Sequence, residues 1–117
     1  MSAAREVDRT ALFALAEKDR SIGNVLADVR AERWRQEAKF PQNYPDGTGS
    51  EYAKAICLIV RDLCSRSYED AECTFAQVLA EEFCEALAEQ DPIKLRAELV
   101  QVAAVAVKWI EAVDARR

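Results

Sequence analysis

A chain of 117 residues, half of them apolar and 32% charged, suits one soluble globular domain and fits neither a disordered segment nor a membrane span. A net charge of −5 and a pI near 4.8 argue against a general binder of phosphate backbones, which needs a basic face. The chain has no histidine. That removes Ser-His-Asp triads, Cys-His pairs and His-ligated metals, so catalysis would have to run on carboxylates, Lys, Arg, Tyr, Cys or a hard cation.

A first helix is predicted over about 3–18, with Val7, Leu12, Leu15 and Ala16 among its apolar positions. Arg5, Asp8 and Arg9 interrupt it, so no secretory signal and no membrane contact are expected, and the location reads as cytoplasmic. Ser21 is a candidate cap for a second helix over 21–39, whose first turn Gly23 weakens. Two of the three prolines and two of the three glycines then fall in one loop, residues 40–49.

A third helix is predicted over 50–65. Its stripe of Tyr52, Ile56, Ile59, Val60 and Leu63 is expected to face the core. An acidic turn over 68–72 follows. Thr74-x-x-Gln77 is a capping box opening a fourth helix that ends near Gln90. Asp91-Pro92, a cap followed by proline at the first helical position, opens a last helix to about Ala115. That helix is apolar nearly all round, which places it in the middle of a bundle or at an oligomer interface. The expectation is an all-α bundle of four or five helices spanning 1–117 as one domain. Cys57, Cys64, Cys73 and Cys84 have no C-x-x-C spacing and read as reduced core thiols.

Polar residues on apolar faces carry the functional signal. At 100° per residue, Phe75, Val78, Leu79, Phe83 and Ala86 share a face with Glu82 in its middle, flanked by Glu81 and Glu85. In the last helix Glu98 falls among Leu95, Val102, Val105 and Trp109, with Gln101 one turn on. A short turn joins the two helices, so antiparallel packing is expected to bring Glu82, Glu85 and Glu98 to one point. A buried carboxylate needs a partner, and oxygen-only ligands point to Mg²⁺, with Mn²⁺ as a substitute. On the second helix Glu32, Arg35, Gln36 and Lys39 share one side, with Arg33 beside them. That set could read a nucleobase and hold phosphate. Surface ion pairs on solvated helix faces are the plainer reading of these charges, and core or interface anchors the plainer reading of Trp34 and Trp109.

Glu81-Glu82-Phe83-Cys84-Glu85 followed by Glu98-Leu99-Val100-Gln101 resembles the paired E-E-x-x-E and E-x-x-D motifs of the MazG-like, all-α nucleoside triphosphate pyrophosphohydrolases. Glu32-Arg-Trp-Arg-Gln36, Lys39, Pro45-Asp-Gly-Thr-Gly49 and 97–104 look like a phage and bacterial subgroup of that family. The resemblance covers about 24–117, leaving an N-terminal helix over 1–20 with a possible role in assembly. It implies a homodimer or homotetramer that binds ribo- or deoxyribonucleoside triphosphates with Mg²⁺ and releases monophosphate and pyrophosphate. It also implies metal ligation by Glu82, Glu85 and Glu98, and a role for Glu81 as outer ligand or orienter of the attacking water. Gln101 departs from the family's Asp; its amide oxygen can ligate a cation but brings no charge. Activity is expected to survive on the three remaining glutamates. The alternatives are an inactive relative that sequesters a nucleotide, favoured by Gln101, and an oligomeric helical interaction module, favoured by the apolar last helix.

Overall fold

The computed structural model describes residues 8–69 and 73–116, and the described residues are mostly helical with no strand. Helix α1 spans Arg9–Lys39, α2 Glu51–Glu69, α3 Phe75–Ala88 and α4 Pro92–Asp114. The all-α expectation holds, with four helices where four or five were expected.

Local chemistry sets most of the ends. Asp8 caps α1 by accepting from the amides of Thr10 and Ala11. Ser50 accepts from the Ala53 amide at 3.1 Å and donates to the Gly47 carbonyl at 2.8 Å, tying the loop to the start of α2. The Thr74–Gln77 capping box is present in both directions. Asp91 caps α4, and Pro92 occupies its first turn.

Two boundaries differ from expectation. The predicted helices over 3–18 and 21–39 are one 31-residue helix within the described residues; 3–7 lie outside them. Ser21 is not a cap, because its hydroxyl donates to Glu111 Oε2 on α4 at 2.7 Å. A lone Gly23 costs about 1 kcal/mol relative to alanine and does not break the helix. Helix α2 runs to Glu69, so the expected turn over 68–72 begins in helix, and 70–72 lie outside the described residues.

The helices pack in the spatial order α2, α3, α4, α1, and the described parts of α1 and α2 do not touch. The radius of gyration, 18.7 Å, exceeds the roughly 13 Å of a compact chain this long. The core is correspondingly thin. Val25, Ala53, Cys57, Cys64, Cys84, Ala86 and Leu95 are its buried apolar residues, and the Phe75 and Trp109 rings stack 5.8 Å apart. Helices α3 and α4 are the two inner helices of the row, and α4 is in contact with both α3 and α1.

Helix α2 inverts its expected face. Small residues, Ala53, Cys57 and Cys64, turn inward against α3, while Tyr52, Ile59 and Leu63 are exposed and Ile56 and Val60 half-buried. The close approach of α2 and α3 needs small side chains, so size and not hydrophobicity selects the inward stripe. Of the four cysteines expected in the core, three are buried and Cys73 is exposed; all four are free thiols.

Candidate functional site

The α3–α4 hairpin builds the site. Glu82 and Glu85 are three residues apart on α3, and Glu98 on α4 is as far from Gln90 at the turn as Glu82 is. Two antiparallel helices joined so tightly bring those levels side by side. One carboxylate oxygen from each of the three lies within 4.8 Å of the others. Glu82 and Glu98 are half-buried, and Oε2 of each is fully buried with no hydrogen-bond partner.

The electrostatics follow from that crowding. Burial lifts the Glu98 carboxyl above its ordinary range, and the adjacent Glu85, by charge and by a hydrogen bond, lifts it further; Glu82 and Glu89 add to the effect. Opposite ligands of an ion with 2.0–2.6 Å metal–oxygen bonds stand about 4–5 Å apart, so the spacing admits one hard cation. Two buried, unpartnered acceptor oxygens are groups that such an ion would satisfy.

Glu81 points elsewhere. It is half-buried, is not among the three clustered carboxylates, and hydrogen-bonds the buried Cys64 thiol of α2. With Glu85 it borders a cleft of about 370 Å³ between α2 and α3, whose other walls include Val60, Arg61 and Cys84. Burial, followed by the Glu81 charge, raises Cys64 above its ordinary value. Cys84 is pushed up to about 11 by burial and by Cys57, whose thiol donates to the Cys84 carbonyl at 3.3 Å. These thiols stay protonated at neutral pH and are poor nucleophiles. Gln101 is exposed, one turn beyond Glu98.

The structure does not join the α1 set to this cluster. Glu32, Arg35, Gln36 and Lys39 are all exposed. Arg35 pairs with Glu32, Arg33 reaches Gln36 at 3.4 Å and Glu37 at 3.3 Å, and the Lys39 ammonium sits 5.4 Å from the Phe40 ring centre. These are contacts within the helix and its cap, and among the described residues none of the four is hydrogen-bonded or ion-paired to α3 or α4. Arg33, Gln36 and Phe40 do line a shallow polar hollow with Gln42, Asn43 and Tyr44.

Arg61 is the residue that sequence reasoning passed over. Taking Tyr52, Ile59 and Leu63 as the inward stripe turns Arg61 to solvent; taking Ala53, Cys57 and Cys64 places it beside the α2–α3 cleft. The run of small residues at helical spacing was the available signal.

No protein-family model matches this chain, and no curated protein or solved structure matches it either.

Proposed function

We propose that this protein is a divalent-cation-dependent hydrolase of nucleoside triphosphates, releasing monophosphate and pyrophosphate. The observation that carries the reading is the pair of buried, unpartnered carboxylate oxygens on facing helices, with a third carboxylate within 4.8 Å. Glu82, Glu85 and Glu98 are the residues that would hold Mg²⁺, or Mn²⁺ in its place. A bound Mg²⁺ would neutralise triphosphate charge, polarise phosphorus and lower the pKa of water. Glu81, at the border of the cleft, is the carboxylate available to orient water and accept its proton. Gln101 leaves the site one anion poorer than the motif it resembles, and three carboxylates suffice for one cation.

Two features of the single chain support assembly into a homodimer or homotetramer. Large apolar side chains are exposed on the helices at both ends of the row, including Phe13 and Leu15 of α1 and Tyr52, Ile59 and Leu63 of α2. The α1 set of Glu32, Arg35, Gln36 and Lys39 can serve a nucleotide only if another copy brings it to a carboxylate cluster. The same exposed faces favour a second reading, a helical interaction module without turnover.

The deciding experiment is pyrophosphate release from a panel of ribo- and deoxyribonucleoside triphosphates with and without Mg²⁺. Release that requires Mg²⁺ supports the hydrolase. A melting shift with nucleotide but no release supports an inactive binder, and no response to either nucleotide or Mg²⁺ supports the interaction module.

A further inference from the structure

Helices α2 and α3 enclose a groove made of two adjoining cavities, each about 370 Å³. Arg61 borders both. On one side the walls are polar, with Glu81, Glu85 and Ser65. On the other they are mainly apolar, with Ala53, Leu58 and Leu87. Each cavity is within the roughly 300–1,000 Å³ range of small-molecule sites.

Arg61 differs from the other arginine of α2, Arg66, which pairs with Asp62. Arg61 has no ion pair among the described residues. Its own helix offers none, because the residues one turn away are Cys57, Leu58, Cys64 and Ser65. A guanidinium at the junction of an acidic and an apolar cavity, with its fork of donors uncommitted to any carboxylate, is matched to phosphate oxygens.

We propose that Arg61 binds the phosphate chain of a metal-complexed nucleoside triphosphate lying along the α2–α3 groove, with the uncharged base and sugar toward Ala53, Leu58 and Leu87. This rests on the cation-dependent reading above. The acidic cavity alone repels an anion. The cation held by Glu82, Glu85 and Glu98 and the guanidinium of Arg61 together offset most of the charge of the four glutamates and give phosphate oxygens two positive groups to bind, so phosphate binds best when both are present. The apolar cavity gives the base and sugar somewhere to shed water.

The test compares the parent with Arg61→Gln, Arg61→Lys and, as a control outside the groove, Arg66→Gln. Calorimetry gives Kd for common ribo- and deoxyribonucleoside triphosphates in Mg²⁺, and thermal melts are taken with Mg²⁺ alone. Arg61→Gln should weaken nucleotide binding about tenfold or more, since charge-assisted bidentate contacts are strong. Its melting temperature and its Mg²⁺-only shift should match the parent's, a combination that a merely structural role would not give. Arg61→Lys should recover part of the loss, and Arg66→Gln should bind as the parent does. If Arg61→Gln binds nucleotide as tightly as the parent, the Arg61 assignment is wrong while the cation site stands. If the parent responds to neither Mg²⁺ nor nucleotide, both readings fall.

Discussion

Replacing Glu82 with glutamine keeps the size of the side chain and removes one of three clustered charges. In the parent, an ion present at about a hundred times its Kd adds about 2.7 kcal/mol to folding by mass action. A chain of 117 residues, at about 2.1 cal/mol/K of unfolding entropy per residue, converts that into a rise of about 10 °C in Tm. If the variant binds a hundredfold more weakly, the same Mg²⁺ concentration gives about 0.4 kcal/mol, under about 2 °C. The metal-free proteins should rank the other way. Glu98 holds its proton above the ordinary range in the folded state, chiefly through burial and then through Glu85. The folded chain therefore binds protons more tightly than the unfolded one, and stability is lost as pH rises from the ordinary glutamate range through Glu98's raised value. Glu82→Gln removes a repelling neighbour, so at neutral pH and without metal it should melt above the parent. The assay is a thermal melt followed by circular dichroism, with NaCl matched for ionic strength because Mg²⁺ also screens surface charge. A parent that gains nothing from Mg²⁺ or Mn²⁺, or a variant that gains as much as the parent, refutes the metal assignment.

Three further outcomes are expected. Ile59→Glu, on the exposed face of α2, should reduce an assembly of 13.1 kDa chains to monomer in sedimentation velocity; a parent already monomeric would remove the case for assembly. Gly49→Ala should lower stability by roughly 1–2 kcal/mol in a chemical melt, because Gly49 has φ of 71° and its added Cβ would meet the Gln90 side chain. Adding Gln90→Ala should relieve only the clash and leave the backbone strain. Ser21→Ala should lower Tm by several degrees at pH 7: the Ser21 hydroxyl, ahead of Lys18, holds the Glu111 carboxyl below its ordinary value of 4.5. That contribution is complete above pH 4.5 and is lost as pH falls through the lowered value, so parent and variant melts should converge in acid.

What the sequence made legible is what short-range chemistry decides. Thr74-x-x-Gln77 and Asp91-Pro92 mark the start and the turn of the α3–α4 hairpin, and the hairpin alone brings Glu82 and Glu98 level. The carboxylate cluster was readable because its members lie on consecutive helices. Tertiary partners decided the rest. Ser21 has the chemistry of a cap and also of a hydrogen-bond donor, and only the presence of Glu111 on α4 selects the second. Helix α2 has an apolar stripe and a small-residue stripe, and the neighbour α3 selects the small one. That same inversion is why Arg61 did not stand out. No local pattern records where the exposed end of α1 is meant to lie.

Two kinds of unmet contact remain in the single chain, and they call for different partners. Clustered carboxylate oxygens need positive charge; an apolar surface cannot supply it. The exposed leucines, isoleucines and tyrosines need apolar cover; a cation cannot supply that. Metal binding and assembly are therefore separable. Glu82→Gln should leave the sedimentation coefficient unchanged, and Ile59→Glu should leave Mg²⁺-linked stabilisation unchanged so long as the α3–α4 hairpin holds the three carboxylates by itself. The α1 set adds the one point of contact between them. If Glu32, Arg35, Gln36 and Lys39 reach a cluster across an interface, monomeric Ile59→Glu keeps its ion and loses nucleotide affinity. If the groove beside Arg61 is sufficient, the monomer keeps both, and α1 is a structural strut whose paired charges serve only to keep it helical in water.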